Sequence, residues 1–201
     1  MTEKNDTKQL IDRLEATRNL SRDEWIRLIQ NRTADDADYL FERAQAVRTR
    51  HYGRSVYIRG LIEFTNYCKN DCYYCGIRRD NRCASRYRLT EEQILECCRA
   101  GYELGFRTFV LQGGEDPYFT DGRVTGLVRA IKAGYPDCAV TLSIGEKDRA
   151  SYEAYFAAGA DRYLLRHETA NHEHYGKLHP AELSLRRRME CLRDLKDIGF
   201  Q

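Results

Sequence analysis

From residue 56 onward the chain alternates a short β-type run with a helix-type stretch, four times over. The β-type runs are Val56 to Thr65, Thr108 to Gln112, Ala139 to Ser143 and Arg162 to Arg166. The first helix-type stretch opens on Thr90-Glu91-Glu92-Gln93, a capping box, and reaches about Leu104. The others span 122–134, 148–158 and 182–198, and Gly105, Gly159 and Gly199 stand just past helix ends. A strand–helix–strand repeat implies a parallel sheet with right-handed crossovers, hence an α/β fold. Residues 57–201 give a period of about 36 per unit, and eight such units need roughly 290 residues. The expectation is the first four units of a (β/α) barrel, truncated or completed by another chain. Its first and fourth strands would be open edges and its inner face partly apolar, which favours self-association.

The first 50 residues read as helices. Leu10, Ile11 and Leu14 have helical spacing. Ser21 to Glu24 is a capping box ahead of Trp25, Ile26, Leu28 and Ile29, and Thr33 opens a third helix ended by Gly53. The expected division is a helical leader over 1–52 and the half barrel over 53–201. With 33 Lys and Arg against 31 Asp and Glu, the net charge of +2 excludes a strongly polyanion-seeking protein. No apolar stretch approaches the roughly 20 residues of a membrane helix, and Met1 to Asp6 contains no apolar signal core. The expected compartment is the cytoplasm, where clustered cysteines among the eight point to metal or redox chemistry.

Such a cluster lies directly after the first β-type run. Cys68, Cys72 and Cys75 form C-x3-C-x2-C. Three thiolates on a short loop can hold three irons of a cubane 4Fe–4S cluster. Cys83 lies eight residues beyond Cys75, so no fourth cysteine has matching spacing and the last iron is open to a small chelator. The loop offers no histidine to complete a zinc site. The plainer readings are a zinc knuckle or unrelated thiols.

The loop resembles that of the radical S-adenosylmethionine (SAM) enzymes. The resemblance implies a TIM-type barrel, a 4Fe–4S cluster on Cys68, Cys72 and Cys75, and SAM chelating the open iron through its amino and carboxylate groups. It implies that Tyr74, the aromatic residue before the third cysteine, contacts adenine through its backbone. It also implies that Gly113-Gly114-Glu115, after the second strand, faces the methionyl amino group. Without it, a Gly-Gly pair is more often a turn.

Longer segments narrow the resemblance. Asn66-Tyr67-Cys68, Gly76 to Asn81, Arg86-Tyr87-Arg88, Gln112 to Tyr118 and Tyr163 to Asn171 are similar to the HydE family of FeFe-hydrogenase maturases. This implies reductive SAM cleavage to methionine and a 5′-deoxyadenosyl radical during assembly of the hydrogenase di-iron site. The implied partners are a small organometallic or amino-acid-derived substrate, a reductant protein and other maturation proteins. Biotin synthase and methylornithine synthase share the barrel and loop and are the nearest alternatives. An alternative of another class is a noncatalytic iron–sulfur or zinc module.

Further site residues follow from strand and helix ends. Glu168 is a suitable acceptor for both ribose hydroxyls, the role of the matching family glutamate; an ion pair is the plain alternative. Counting back from Cys191, Arg188 best matches the arginine that holds the methionyl carboxylate, with Arg187 one residue off as the other choice. Ser143 ends the third strand and is a weaker pocket candidate, and Tyr73 fits core or site. Arg78, Arg79, Arg82, Arg86 and Arg88 form a basic segment that could neutralise an anionic substrate or meet RNA, or simply be solvated. His167, His172, His174 and His179 share no expected helix face and receive no ligand role. Cys97, Cys98, Cys138 and Cys191 are expected in the core.

Overall fold

A computed structural model describes residues 3–201; Met1 and Thr2, part of the expected leader, lie outside the described residues. The chain divides into two compact units, 1–57 and 58–201. In the first unit, α1 (Glu3–Thr17), α2 (Arg22–Asn31) and α3 (Ala34–Tyr52) follow one another. Ser21 and Thr33 are N-caps closed by full capping boxes with Glu24 and Asp36. Ile11, Leu20 and Leu28 form the small core, flanked by Leu14, Trp25, Tyr39 and Leu40. Arg43 pairs with Glu15 at 2.6 Å, and the Tyr39 hydroxyl donates to Asp12 at 2.6 Å.

The second unit is a parallel sheet in sequential order: β1 (Gly60–Thr65), β2 (Thr108–Gly113), β3 (Ala139–Ser143) and β4 (Arg162–Tyr163). The connecting helices are α4 (Glu91–Glu103), α5 (Asp121–Gly134) and α6 (Arg149–Ala157); α7 (His172–Leu178) and α8 (Leu185–Ile198) follow β4. Side chains alternate between the sheet faces. Ile62 and Phe64, Phe109 and Leu111, Val140 and Leu142, and Tyr163 share one core with residues of α4, α5, α6 and α8. Phe64 meets Phe119 edge-on at 4.5 Å. The opposite face carries Leu61, Val110 and Leu164, together with polar Glu63, Gln112, Thr141, Ser143 and Arg166. It is thus partly apolar, and Leu61 and Leu164 are exposed on it.

Four elements differ from the sequence expectation, two strands through lack of a pairing partner and two helices through the position of a cap. Val56 to Arg59 are not strand, since the β1–β2 ladder begins with Gly60 opposite Phe109. β4 pairs over only two residues, opposite Thr141 and Leu142, and Leu165 and Arg166 continue without a ladder. The last helix starts at Leu185 rather than 182, because Ser184 caps it by accepting from Arg187 N–H. The seven-residue α7, capped by Asn171, was not expected at all.

Candidate active site

The C-terminal ends of all four strands open onto one cavity of about 230 Å³. In a barrel, reactive groups gather at this end because the loops there are free to vary. The sequence candidates Cys68, Cys72, Tyr74, Cys75, Gly113, Gly114, Glu115, Ser143, Glu168 and Arg188 all line it.

The cysteine loop leaves β1 and is tied at several points. Lys69 N–H donates to the Glu115 carbonyl at 2.9 Å, and Tyr73 N–H donates to the Leu178 carbonyl at 2.9 Å. Cys75 N–H closes a tight turn on the Cys72 carbonyl at 3.0 Å. Arg86 gathers the segment that follows: its guanidinium donates to the carbonyls of Asn66, Ile77, Arg78 and Asn81. Gly114 runs hard against this loop. A Cβ there would overlap the Tyr67 carbonyl and lie 2.7 Å from the Cys68 Cβ.

The three thiols are partly buried and free. Burial pushes the Cys68 thiol up, and burial with the neighbouring thiols Cys68 and Cys75 pushes Cys72 up to about 11. Unliganded, Cys68 and Cys72 therefore favour the neutral thiol, and a cationic metal centre would invert that preference. Among the described residues no three His, Cys, Asp or Glu side chains group tightly enough to hold a single metal ion. A cubane asks for a different arrangement, since each thiolate takes its own iron corner. Three thiols and no fourth ligand on one loop, facing an open cavity, fit that group.

Around the thiols the polar groups are held in place. Asp116, just past Glu115, accepts from both Nε and Nη2 of Arg88 at 2.7 and 2.9 Å and from the Thr65 hydroxyl at 2.7 Å. Burial works against its charge, but these hydrogen bonds prevail and hold its carboxyl below the usual range. The Arg88 guanidinium also lies over the Tyr67 ring at 3.8 Å. Glu115 is buried, with its carboxylate between Lys69 Nζ at 3.2 Å and Glu146 N–H at 2.9 Å. Gly145, at φ +77°, leaves the space this carboxylate fills. Arg188, only 8% exposed, donates Nε to Glu146 at 2.6 Å and Nη1 to the Arg166 carbonyl at 2.6 Å. Burial alone would lower its pKa; the Glu146 carboxylate together with Tyr175 and Glu115 outweighs that and raises it. Glu168 has φ +61°, an uncommon conformation for a non-glycine residue, and is exposed.

Several sequence readings change here. Arg187 turns away to the Lys147 carbonyl and Asp148, so that of the two Arg188 is the one at the cavity. In the basic segment, Arg86 and Arg88 are structural clamps, while Arg78 and Arg79 pair with Asp71 and Asp80. Cys98, Cys138 and Cys191 are buried as expected, but Cys97 is exposed, on the outward side of α4. Tyr73 is exposed and belongs to no core. Sequence reasoning missed Glu63, Thr65, Asn66, Gln112, Gly145 and Arg166, which also line the cavity. Their common signal is position at the carboxyl end of a strand. It also missed Glu146, which holds Arg188, and His179, which packs on Tyr74.

Residues 62–201 match the Radical SAM superfamily. The chain belongs to this superfamily. Radical SAM proteins as a class depend on a 4Fe–4S cluster and SAM. The chain is 47% identical over 162 residues to the FeFe hydrogenase maturase subunit HydE of Thermotoga maritima, covering 81% of this chain and 46% of that one. It is 32% identical over 185 residues to the 3-methylornithine synthase of Methanosarcina acetivorans, covering 90% and 51%. The crystal structure of methylornithine synthase (PylB) superposes with a TM-score of 0.80 at 30% identity, over 95% of this chain and 56% of that one. This radical SAM chain thus spans about half the length of the relatives it matches.

Proposed function

We propose that this chain carries the cluster- and SAM-binding half of a HydE-type radical SAM maturase acting in assembly of the FeFe-hydrogenase metal site. One observation carries the reading. Four separate segments, the Cys68–Cys75 loop, Gly113-Gly114, Glu168 after β4 and Arg188 of α8, meet on one cavity at the strand ends. The 47% identity to HydE favours the maturase over the methylornithine-synthase and biotin-synthase alternatives.

In this reading Cys68, Cys72 and Cys75 hold the 4Fe–4S cluster, which supplies the electron that cleaves SAM. The chain's own residues bind and orient. Gly113 and Gly114 let backbone come close to the methionyl group, and Glu115 braces that turn through Lys69 and Glu146. Arg188, fixed by Glu146 and the Arg166 carbonyl, offers a rigid cation for the methionyl carboxylate. Glu168 accepts from the ribose diol, the Tyr74 backbone contacts adenine, and Ser143 lines the floor. The substrate is a small organometallic or amino-acid-derived molecule, and the partners are a reductant protein and other maturation proteins. No described helix is long and apolar enough to cross a membrane. We assign the protein to the cytoplasm.

Anaerobic reconstitution tests this. The protein should take up about four irons and show a reduced-state spin signal that SAM alters. The Cys72→Ala variant should lose the absorption and the signal, and Cys83→Ala should keep both. Retention of both in Cys72→Ala, or a spectrum unmoved by saturating SAM, would overturn the assignment.

A further inference from the structure

His179 is buried at the end of α7, and its ring lies flat on Tyr175, with centroids 3.8 Å apart and planes 13° from parallel. Its Nδ1 is 3.0 Å from the Tyr175 backbone carbonyl. A carbonyl only accepts, so Nδ1 carries the proton, and in the neutral ring Nε2 is left as a lone-pair acceptor. That nitrogen faces the Tyr74 hydroxyl at 3.4 Å. The same hydroxyl is 3.4 Å from Oε1 of Glu168. Both separations are long for a hydroxyl donor, whose usual distance is about 2.7–2.8 Å. The hydroxyl has one proton and stands midway between two acceptors.

We propose that His179 is a positioning residue that makes the Tyr74 hydroxyl a two-position latch. It is built on the reading that Glu168 receives the ribose diol. Without ligand, the hydroxyl can donate to Glu168 and steady its exposed carboxylate. When a diol takes that carboxylate, the hydroxyl turns to His179 Nε2 and stays satisfied. Tyr74 then gives up its place on Glu168 without losing a hydrogen bond. Deprived of the His179 acceptor, Tyr74 would hold on to Glu168 and compete with the incoming nucleoside. The stack on Tyr175 and the Nδ1 hydrogen bond fix the imidazole, so that Nε2 points to the hydroxyl rather than rotating away. Nothing in the pattern of the other histidines gives them such a role: His172 and His174 are exposed on α7.

A double-mutant cycle on SAM binding to the reconstituted protein, read by equilibrium dialysis, tests the latch. His179→Phe keeps a ring on Tyr175 and removes the acceptor. It should weaken SAM binding by about threefold to tenfold, the effect of one hydrogen bond. His179→Gln, which restores an acceptor, should recover part of the loss. The decisive variant is Tyr74→Phe with His179→Phe: with no hydroxyl to compete, binding should return to that of Tyr74→Phe alone. A loss in His179→Phe that Tyr74→Phe does not relieve would make His179 a packing residue and overturn the proposal, as would wild-type affinity in His179→Phe. A second readout is the fluorine resonance of 3-fluorotyrosine at Tyr74, assigned through Tyr74→Phe. Its shift on SAM addition should be larger in the parent than in His179→Phe. The reading of Glu168 is checked separately, with 5′-methylthioadenosine and its 2′,3′-dideoxy analogue as competitors. Equal competition by the two in the parent protein would refute the diol contact itself. A clear preference for the diol, with no effect of His179→Phe, would refute only the latch.

Discussion

Replacing Gly114 by Ala should damage the cysteine loop directly. The added Cβ would lie 2.7 Å from the Cys68 Cβ, 2.9 Å from the Tyr67 carbonyl carbon and closer still to the Tyr67 oxygen. Carbon atoms rest at about 3.5–4.0 Å, so the deficit is on the order of 1 Å. Two of the three obstacles are backbone atoms, which no side-chain rotation can move. The loop is also tied beside this contact, where Lys69 N–H meets the Glu115 carbonyl at 2.9 Å. Either that hydrogen bond breaks or Cys68 moves outward. Overpacking of this kind costs about 1–3 kcal/mol. Gly126→Ala is the control. It lies in the middle of α5 with nothing within 4 Å of a Cβ. It should gain about 0.5–1 kcal/mol by reducing the freedom of the unfolded chain. Urea unfolding of both variants gives the stability, and iron content after reconstitution gives the consequence for the site. Gly114→Ala should lose stability and iron together. A Gly114→Ala protein with unchanged unfolding midpoint and full cluster absorption would show that the close approach has no consequence.

Asp116→Asn should destabilise the protein by about 2–3 kcal/mol in urea, less than the full loss for a buried ion pair because Arg88 retains 35% side-chain exposure. The Asp116 carboxyl is held below its ordinary value of 3.8, so its contribution is present above that pH and is lost as pH falls further. The variant should therefore lose part of the parent's acid sensitivity below about pH 4, and an identical acid profile would refute the pairing. Glu168→Gln should weaken SAM binding by about 1–3 kcal/mol, measured by equilibrium dialysis; full affinity would count against the diol contact.

Much of the architecture is legible because its determinants are local. Ser21, Thr33 and Thr90 begin helices where a short polar side chain can accept from the free N–H groups of the first turn. β2 and β3 lie where the apolar runs place them, since the face that packs on the helices needs an apolar residue at every second position. The cysteine spacing marks the loop. Strand extent is another matter. Val56 to Arg59 have the β-type side chains of a strand and are none, because strand also requires a neighbour to receive its hydrogen bonds. The seven-residue α7 is too short for periodicity to declare, and its cap on Asn171 is the one local sign of it.

The sequence by itself determined the repeat of strand and helix, the helix starts and the three-thiol loop, since each rests on neighbours a few residues apart. Only the tertiary structure decided which side chains act together. Arg188 and Glu146 are 42 residues apart, and Arg88 and Asp116 are 28 apart. Such pairs are set by where parallel strands end in space. The same holds for the choice between Arg187 and Arg188, one helical position apart: the turn of α8 sends one toward Asp148 and the other into the cavity. A run of arginines carries no mark of which member will be buried, because the charge is the same at each and only the packing around the helix distinguishes them.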